Sequence, residues 1–500
     1  MSSNGSNSKK LSLIALILMI FTQVYGFNNM PRSFLLMGYG SIPFFILAAI
    51  FFFLPFAFMM GEYGAAFKDE KGGIYSWMEK SVNTKYAFIA TFMWYSSGII
   101  WMVNTAPALL IALSNAIKGN DVTGSLHFLG LNSPQVIGIL GIIWILFVTI
   151  ISSRGLDKIK KVTSIGGTAV AILNVVLIVG ALVVLIGNHG QLAQPINSAA
   201  DIIKSPNPAY QNPFAILSFL VFAIFAFGGI EVVGGLVDET ENAEKTFPKG
   251  LTISAIIIAV GYCVGLFCIG MFTNWNDVLS SDKVHMANVG YIVMQNLGYQ
   301  IGQVFGATQQ VSMTIGLWVA RFVGLSMFLC LCGAFFAMTY SPLKQLIEGS
   351  PKGLFSDKIT KTKNDIPVTA MWIQAITVIV IIALVSFGGD TASKFFDVLI
   401  SMTNVAATLP YMFLSFAFIF FKRKQNINKP FIMFKGEGIS LIFTIIVTAT
   451  IGFANIFSII EPALNHDWLT AFWSVAGPVF FTIVALLIFK NYEKKQKNLK

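Results

Sequence analysis

The chain is poor in charge. Only 11% of its 500 residues are Asp, Glu, Lys or Arg, against roughly 25% in soluble domains, and that shortage excludes an ordinary water-soluble globule. It holds four histidines, His127, His189, His285 and His466, all in stretches read as loops, and no H-E-x-x-H or comparable cluster. Hydrolases, metalloproteases and acyl transferases need His, Ser/His or metal-ligand groupings, so the sequence argues against an enzyme. Its four cysteines, Cys263, Cys268, Cys330 and Cys332, all fall inside apolar runs, where thiols pack as small hydrophobes. The Cys330-x-Cys332 pair has no further ligands at metal-site spacing. No disulfide framework, metal or cofactor is implied. Rings of charge or a filter repeat, expected of a channel, are missing too.

Apolar surface is abundant: 55% of the residues are hydrophobic and the mean hydropathy is +0.74. About 20 apolar residues cross a bilayer. Twelve segments qualify, at 11–36, 41–67, 86–117, 134–153, 162–187, 212–238, 249–273, 312–342, 366–387, 393–421, 438–459 and 468–490. The expected class is an all-α polytopic membrane protein in contact with lipid. The first segment is not a cleavable signal, because it runs on into further spans without a small-residue cleavage site.

The net charge of +10 is not a nucleic-acid footprint, because it alternates between loops. One set of loops holds Lys9 and Lys10, Lys68 to Lys85, Arg154 to Lys161, Lys245 and Lys249, Lys344 to Lys363, Lys422 to Lys435 and the tail from Lys490. The other set holds only Lys118, Lys204, Lys283 and Lys394. By the positive-inside rule the first set is cytoplasmic, with both termini inside an inner membrane. Residues 1–10 are polar and expected to be disordered. The run 68–79 reads as a short amphipathic helix on the inner face, with Tyr75 and Trp77 suited to the interface.

Two spans are interrupted. In the first, Gly26, Asn28, Asn29 and Pro31 break the helical pattern partway across the bilayer; Gly and Asn tolerate non-helical angles and Pro suits the first turn of a new helix. In the sixth, Phe225-Ala-Phe-Gly-Gly-Ile-Glu231 does the same. Paired interruptions at matching places in two halves point to the substrate site of a secondary transporter. Spans six to ten (212–421) then repeat the pattern of spans one to five (11–187) across a Pro-rich loop at 188–211. Because five is odd, the second copy must be inverted. Spans eleven and twelve (438–490) are additional, and a basic tail covers 491–500.

The run 225–231, continued by Asp238-Glu-Thr, Asn242 and Lys245-Thr-Phe-Pro248-Lys, resembles the sixth-helix signature of the amino acid–polyamine–organocation (APC) transporters. Together with Gly61-Glu-Tyr-Gly and Gly72-Gly-Ile-Tyr-Ser-Trp77, it is most similar to the glutamate–GABA antiporter-like branch. The resemblance implies a LeuT-like fold and an amino acid exchanger working by alternating access. A proton- or sodium-coupled symporter and a transport-inactive sensor remain open.

A broken helix exposes free N–H groups at one end and free carbonyls at the other, which matches a zwitterionic amino acid without any ionised side chain. The substrate-binding residues expected are Tyr25, Gly26, Phe27, Asn28 and Asn29 with Phe225, Ala226, Phe227, Gly228 and Gly229. The resemblance places the carboxylate on the 26–29 backbone, the amine near the Phe225 and Ala226 carbonyls, and the Phe225 ring over the substrate. Charges inside spans are functional candidates. Glu231 is the candidate for substrate or proton coupling, and Glu62 reads as structural. Arg32 and Asp397 are the candidate outer gate, with Arg321 as rival partner. Some relatives carry a lysine in the fifth span, where this chain has Val170, so H+ coupling through it is not expected. Thr22 and Ser326 hydroxyls are candidate Na+ ligands.

Overall fold

The computed structural model describes residues 10–363 and 366–499, and their side chains except those of 390–393 and 499. Most of the N-terminal segment expected to be disordered, including Lys9, lies outside the described residues. Among these residues the chain is helical, with three isolated bridges and no strand.

Helices α1 (Leu13–Val24) and α2 (Asn29–Met37) flank the first interruption. A 3-10 turn at Gly38–Gly40 leads to α3 (Ser41–Ala48), a π-helical stretch at Ala49–Phe53 and α4 (Leu54–Ala66). Then come α5 (Ile74–Ser81), α6 (Thr84–Lys118), α7 (Ser133–Ser152) and α8 (Leu156–Gly187). In the second half α9 (Pro213–Phe225) gives way to a 3-10 helix, Ile230–Leu236. It is followed by α10 (Ala243–Phe272), α11 (Trp275–Val278), α12 (Val289–Val304), α13 (Gln309–Gly349) and α14 (Asp357–Thr360). The chain ends with α15 (Val368–Phe387), α16 (Gly389–Ala406), α17 (Leu409–Arg423), α18 (Glu437–Leu464) and α19 (Trp468–Leu499).

Eleven stretches among the described residues are long and apolar enough to cross a membrane. The first, Leu13–Ala66, has 54 residues. At about 1.5 Å per residue that is about 80 Å, far beyond the roughly 30 Å hydrocarbon core. It therefore holds two crossings. Tyr25 and Phe45 both pack on the Tyr262 ring, at 4.9 and 5.0 Å between centroids, so the chain runs out to the Gly38–Gly40 turn and returns to the same depth. Spans one and two of the sequence reading are this single element folded back.

Lipid offers no hydrophobic drive for helix association, so spans pack through small residues that let backbones approach. A Cβ on Gly167 would lie 1.9 Å from the Leu18 carbonyl oxygen, and one on Gly324 would lie 2.3 Å from the Ala116 nitrogen. These two glycines set the α8–α1 and α13–α6 contacts, and so fix where the first interruption sits.

Two expectations change. Trp77 and Tyr75 are fully buried rather than interfacial: the Trp77 ring stacks on Tyr63 at 5.6 Å, because α5 folds back beneath the bundle. The tenth span is not one helix, since α16 stops at Ala406 and α17 starts at Leu409, with Pro410 in its first turn. Proline lacks the N–H that an unbroken helix needs there.

Glu62, fully buried on α4, is structural. Its Oε2 pairs with Lys422 Nζ at 2.8 Å, and its Oε1 accepts the backbone N–H groups of Met433 and Phe434, each at 2.8 Å. It ties α4 to the end of α17 and to the loop before α18. Removing one member of a buried pair leaves a charge uncompensated, at ~3–5 kcal/mol. Glu62→Ala is expected to cost that much, read as a lower midpoint of thermal unfolding in detergent; an unchanged midpoint would show that the pair does not brace the fold.

Candidate functional site

Helix α1 ends at Val24 because Tyr25 leaves helical angles (φ −83°, ψ 76°) and the Gly26 N–H turns back to the Val24 carbonyl at 2.9 Å. Helix α2 restarts at Asn29, with Pro31 in its first turn. In the second interruption Gly229 has φ +111°, a conformation that favours glycine. A Cβ there would lie 2.6 Å from the Gln23 carbonyl oxygen, so the two interruptions touch.

Tyr262 of α10 joins them. Its buried hydroxyl accepts from the Gly26 N–H at 3.0 Å and from Asn29 Nδ2 at 3.1 Å, and the Val24 and Ala226 carbonyls each lie 3.2 Å away to take its proton. Asn29 Nδ2 also reaches the Ala226 carbonyl at 3.3 Å. One phenol thus satisfies groups of both broken segments. Not everything is satisfied: among the described residues the N–H groups of Phe27 and Asn28 donate no hydrogen bond, and the Gln23, Phe227 and Gly228 carbonyls accept none. The Gln23 side-chain amide is also buried without a partner. Of these residues Gln23, Asn28 and Gly228 line cavities at the seam between the two segments, and Phe27 and Phe227 do not.

Two cavities meet at this seam. One, of ≈ 430 Å³, is lined by Gly26, Asn28, Asn29 and Arg32 and has Asn104, Ala108 and Ala287 exposed at its rim. The other, of ≈ 320 Å³, lies on the Glu231 side, and none of its lining residues is exposed. Gln23, Trp101, Phe225, Gly228 and Ala334 line both and form the septum.

Of the ten residues expected at the substrate, Gly26, Asn28, Asn29, Phe225, Ala226, Gly228 and Gly229 line one or both cavities. The side chains of Tyr25, Phe27 and Phe227 do not. Tyr25 packs on Tyr262, Phe27 is fully buried, and Phe227 stacks on Phe53 at 4.6 Å. An unwound segment still sends part of its side chains into the core, and these aromatics take that side.

Glu231 is buried and accepts three hydrogen bonds. Its Oε1 accepts from Trp94 Nε1 at 3.1 Å, and its Oε2 from the Tyr411 hydroxyl at 2.5 Å and the Gly229 N–H at 3.2 Å. Arg32 donates from Nε to the Met286 carbonyl at 2.7 Å. No Arg32–Asp397 ion pair exists among the described residues: Asp397 is exposed on α16, and Arg321 lies over the Trp318 ring at 4.8 Å. The expected outer gate is not formed here, because α16 packs against α19, α15 and α6 rather than α2. The Thr22 hydroxyl contacts the Leu18 and Thr163 carbonyls, at 2.9 and 2.7 Å, the usual fate of a helix hydroxyl. Val170 is fully buried on α8. No group of His, Cys, Asp or Glu among the described residues could hold a metal.

Tyr262, Trp94, Trp101 and Tyr411 escaped the sequence reading. Each is an aromatic in an apolar span, and only the seven-residue spacing of Trp94 and Trp101, which puts both on one face of α6, could have hinted at a site.

A sequence model of the family described as amino acid permease matches residues 11–487. The chain is 49% identical over 486 residues to the "Inner membrane transporter YjeM" of Escherichia coli (strain K12), covering 97% of this chain and 96% of that one. It is 24% identical to the "Aspartate/glutamate permease AcaP" of Lactococcus lactis subsp. cremoris, over 83% of this chain and 81% of the relative. It is 23% identical to the "Glutamate/gamma-aminobutyrate antiporter" of Lactococcus lactis subsp. lactis, over 98% and 92%.

Tyr262→Phe deletes the hydroxyl that joins the two interruptions and leaves buried polar groups short of partners, at about 1–3 kcal/mol. The expected result is a lower unfolding midpoint in detergent together with slower transport; wild-type values of both would show that the seam holds without the phenol.

Proposed function

Because the chain belongs to the amino acid permease family, a family of membrane transporters rather than enzymes, we propose that it carries a zwitterionic amino acid by alternating access, as an exchanger in the inner membrane. The observation that supports this reading is the seam itself. Among the described residues lining the cavities there, the Asn28 N–H donates no hydrogen bond and the Gln23 and Gly228 carbonyls accept none. A carboxylate suits the start of α2, where the helix dipole is positive. An ammonium suits the carbonyls. Main-chain dipoles do this without fixing an ionised side chain at membrane depth, which costs about 2.5–3.5 kcal/mol on insertion scales.

In this reading the five-span halves are inverted copies and both termini are cytoplasmic. The Arg32-side cavity then opens outward, while the Glu231 side is closed. Closure there has several ties. Lys344 Nζ pairs with Asp238 Oδ1 at 2.7 Å and takes the Gly235 carbonyl at 3.0 Å. The Leu11 N–H donates to the Glu239 carbonyl at 2.7 Å, and the Glu241 N–H returns to the Leu11 carbonyl at 2.9 Å. Opening that side means parting these contacts.

Exchange is favoured over ion coupling by the absence of a cation at Val170 and by the backbone engagement of Thr22. The test is labelled amino acid counterflow in proteoliposomes, with and without Na+ and at two pH values. Uptake is expected only with amino acid on the trans side, and indifferent to Na+. Accumulation driven by a Na+ or H+ gradient into empty vesicles would make the protein a symporter. Binding without any flux would make it a sensor.

A further inference from the structure

We propose that the substrate's side chain lodges in the cavity on the Glu231 side, and that this cavity selects a bulky, uncharged, apolar side chain. The inference rests on the amino acid reading above and names its substrate class.

The two cavities offer a side chain different things. The Arg32-side cavity has exposed residues at its rim and carries Asn28, Asn29, Arg32 and Asn104 in its lining, so a side chain placed there meets polar groups and is weakly read. No described residue lining the Glu231-side cavity is exposed, and that lining decides specificity. That lining is broad and greasy: Phe52, Trp94, Trp101, Phe225 and Met338 supply its walls. Its ≈ 320 Å³ exist because small residues face inward where larger ones would fill it. Gly98 is the clearest case. A Cβ there would meet only Met338 Cε, at 3.1 Å, the flexible end of a side chain, so neither the backbone nor a helix contact requires glycine at that position. Space does.

Charge argues the same way. Among the described residues no Lys, Arg or His lines this cavity. An acidic side chain would enter beside Glu231, whose neighbouring donors, Trp94 Nε1, the Tyr411 hydroxyl and the Gly229 N–H, are already spent on it. It would lose its hydration and gain no partner. A lysine or arginine side chain would give up its hydration for Glu231, a carboxylate that already accepts three hydrogen bonds. An aliphatic, thioether or aromatic side chain pays neither cost. The names of the aspartate/glutamate and glutamate/gamma-aminobutyrate relatives describe those proteins.

The experiment is competition for counterflow in proteoliposomes of the full chain, using L-leucine, L-methionine, L-phenylalanine, L-alanine, L-glutamate, GABA and L-lysine. Leucine, methionine and phenylalanine are expected to compete at least about tenfold better than glutamate, GABA or lysine, the scale on which a pocket separates side chains. Gly98→Val narrows the cavity: competition by phenylalanine and leucine should fall about tenfold, with a wild-type unfolding midpoint in detergent certifying that the variant is folded. Glutamate, GABA or lysine outranking leucine in the wild-type protein would overturn the proposal, and that arm needs no variant. So would an unchanged ranking in Gly98→Val. Counterflow with no amino acid in the panel would instead defeat the transport reading on which the proposal rests.

Discussion

A peptide group stranded at membrane depth without a partner costs several kcal/mol, and the rest of this structure follows from how it meets that constraint. Two spans are unwound in the middle of the bundle, and the liability is met jointly. The Tyr262 hydroxyl takes the Gly26 N–H, has the Val24 and Ala226 carbonyls in reach, and shares the Asn29 amide. The interruptions touch where Gly229 lies against the Gln23 carbonyl.

The buried charges divide by how fully they are spent. Glu62 and Lys422 satisfy each other and a loop backbone, so they hold the α4–α17 side of the bundle together. Glu231 draws three donors from three elements, α6, the broken sixth span and α17. It thereby occupies donors at the floor of the Glu231-side cavity. Arg32 has a backbone carbonyl as partner instead of a carboxylate. The two cavities differ in lining, more polar on the Arg32 side and more apolar on the Glu231 side, with Phe225 and Trp101 standing between them.

Much of this was legible beforehand. Gly26, Asn29 and Pro31 announced the first interruption, and Gly228 and Gly229 the second, because these residue types alone tolerate or demand the backbone found there. Glu231 and Glu62 stood out as charges in apolar runs, and their environments divide them into cavity floor and strut. Arg32 and Asp397 stand apart in this structure, the one on the Met286 carbonyl and the other exposed on α16; depth along two spans does not by itself say whether those spans adjoin. Trp77 and Tyr75 were misplaced for a related reason: an aromatic near a span end suits an interface equally well as a core, and only the fold-back of α5 decides.

The linear order of residues by itself determined that the chain spans a membrane, where it crosses and that the first and sixth crossings break, since hydropathy, glycine and proline act through local backbone chemistry and the solvent each stretch prefers. Tertiary structure alone decided what the breaks face. Tyr262, Trp94, Trp101 and Tyr411 are indistinguishable in sequence from the aromatics around them, and they become a bridge, a wall and a floor only through contacts between helices far apart in the chain. Such contacts depend on which faces of the helices meet, a property that local propensity does not encode.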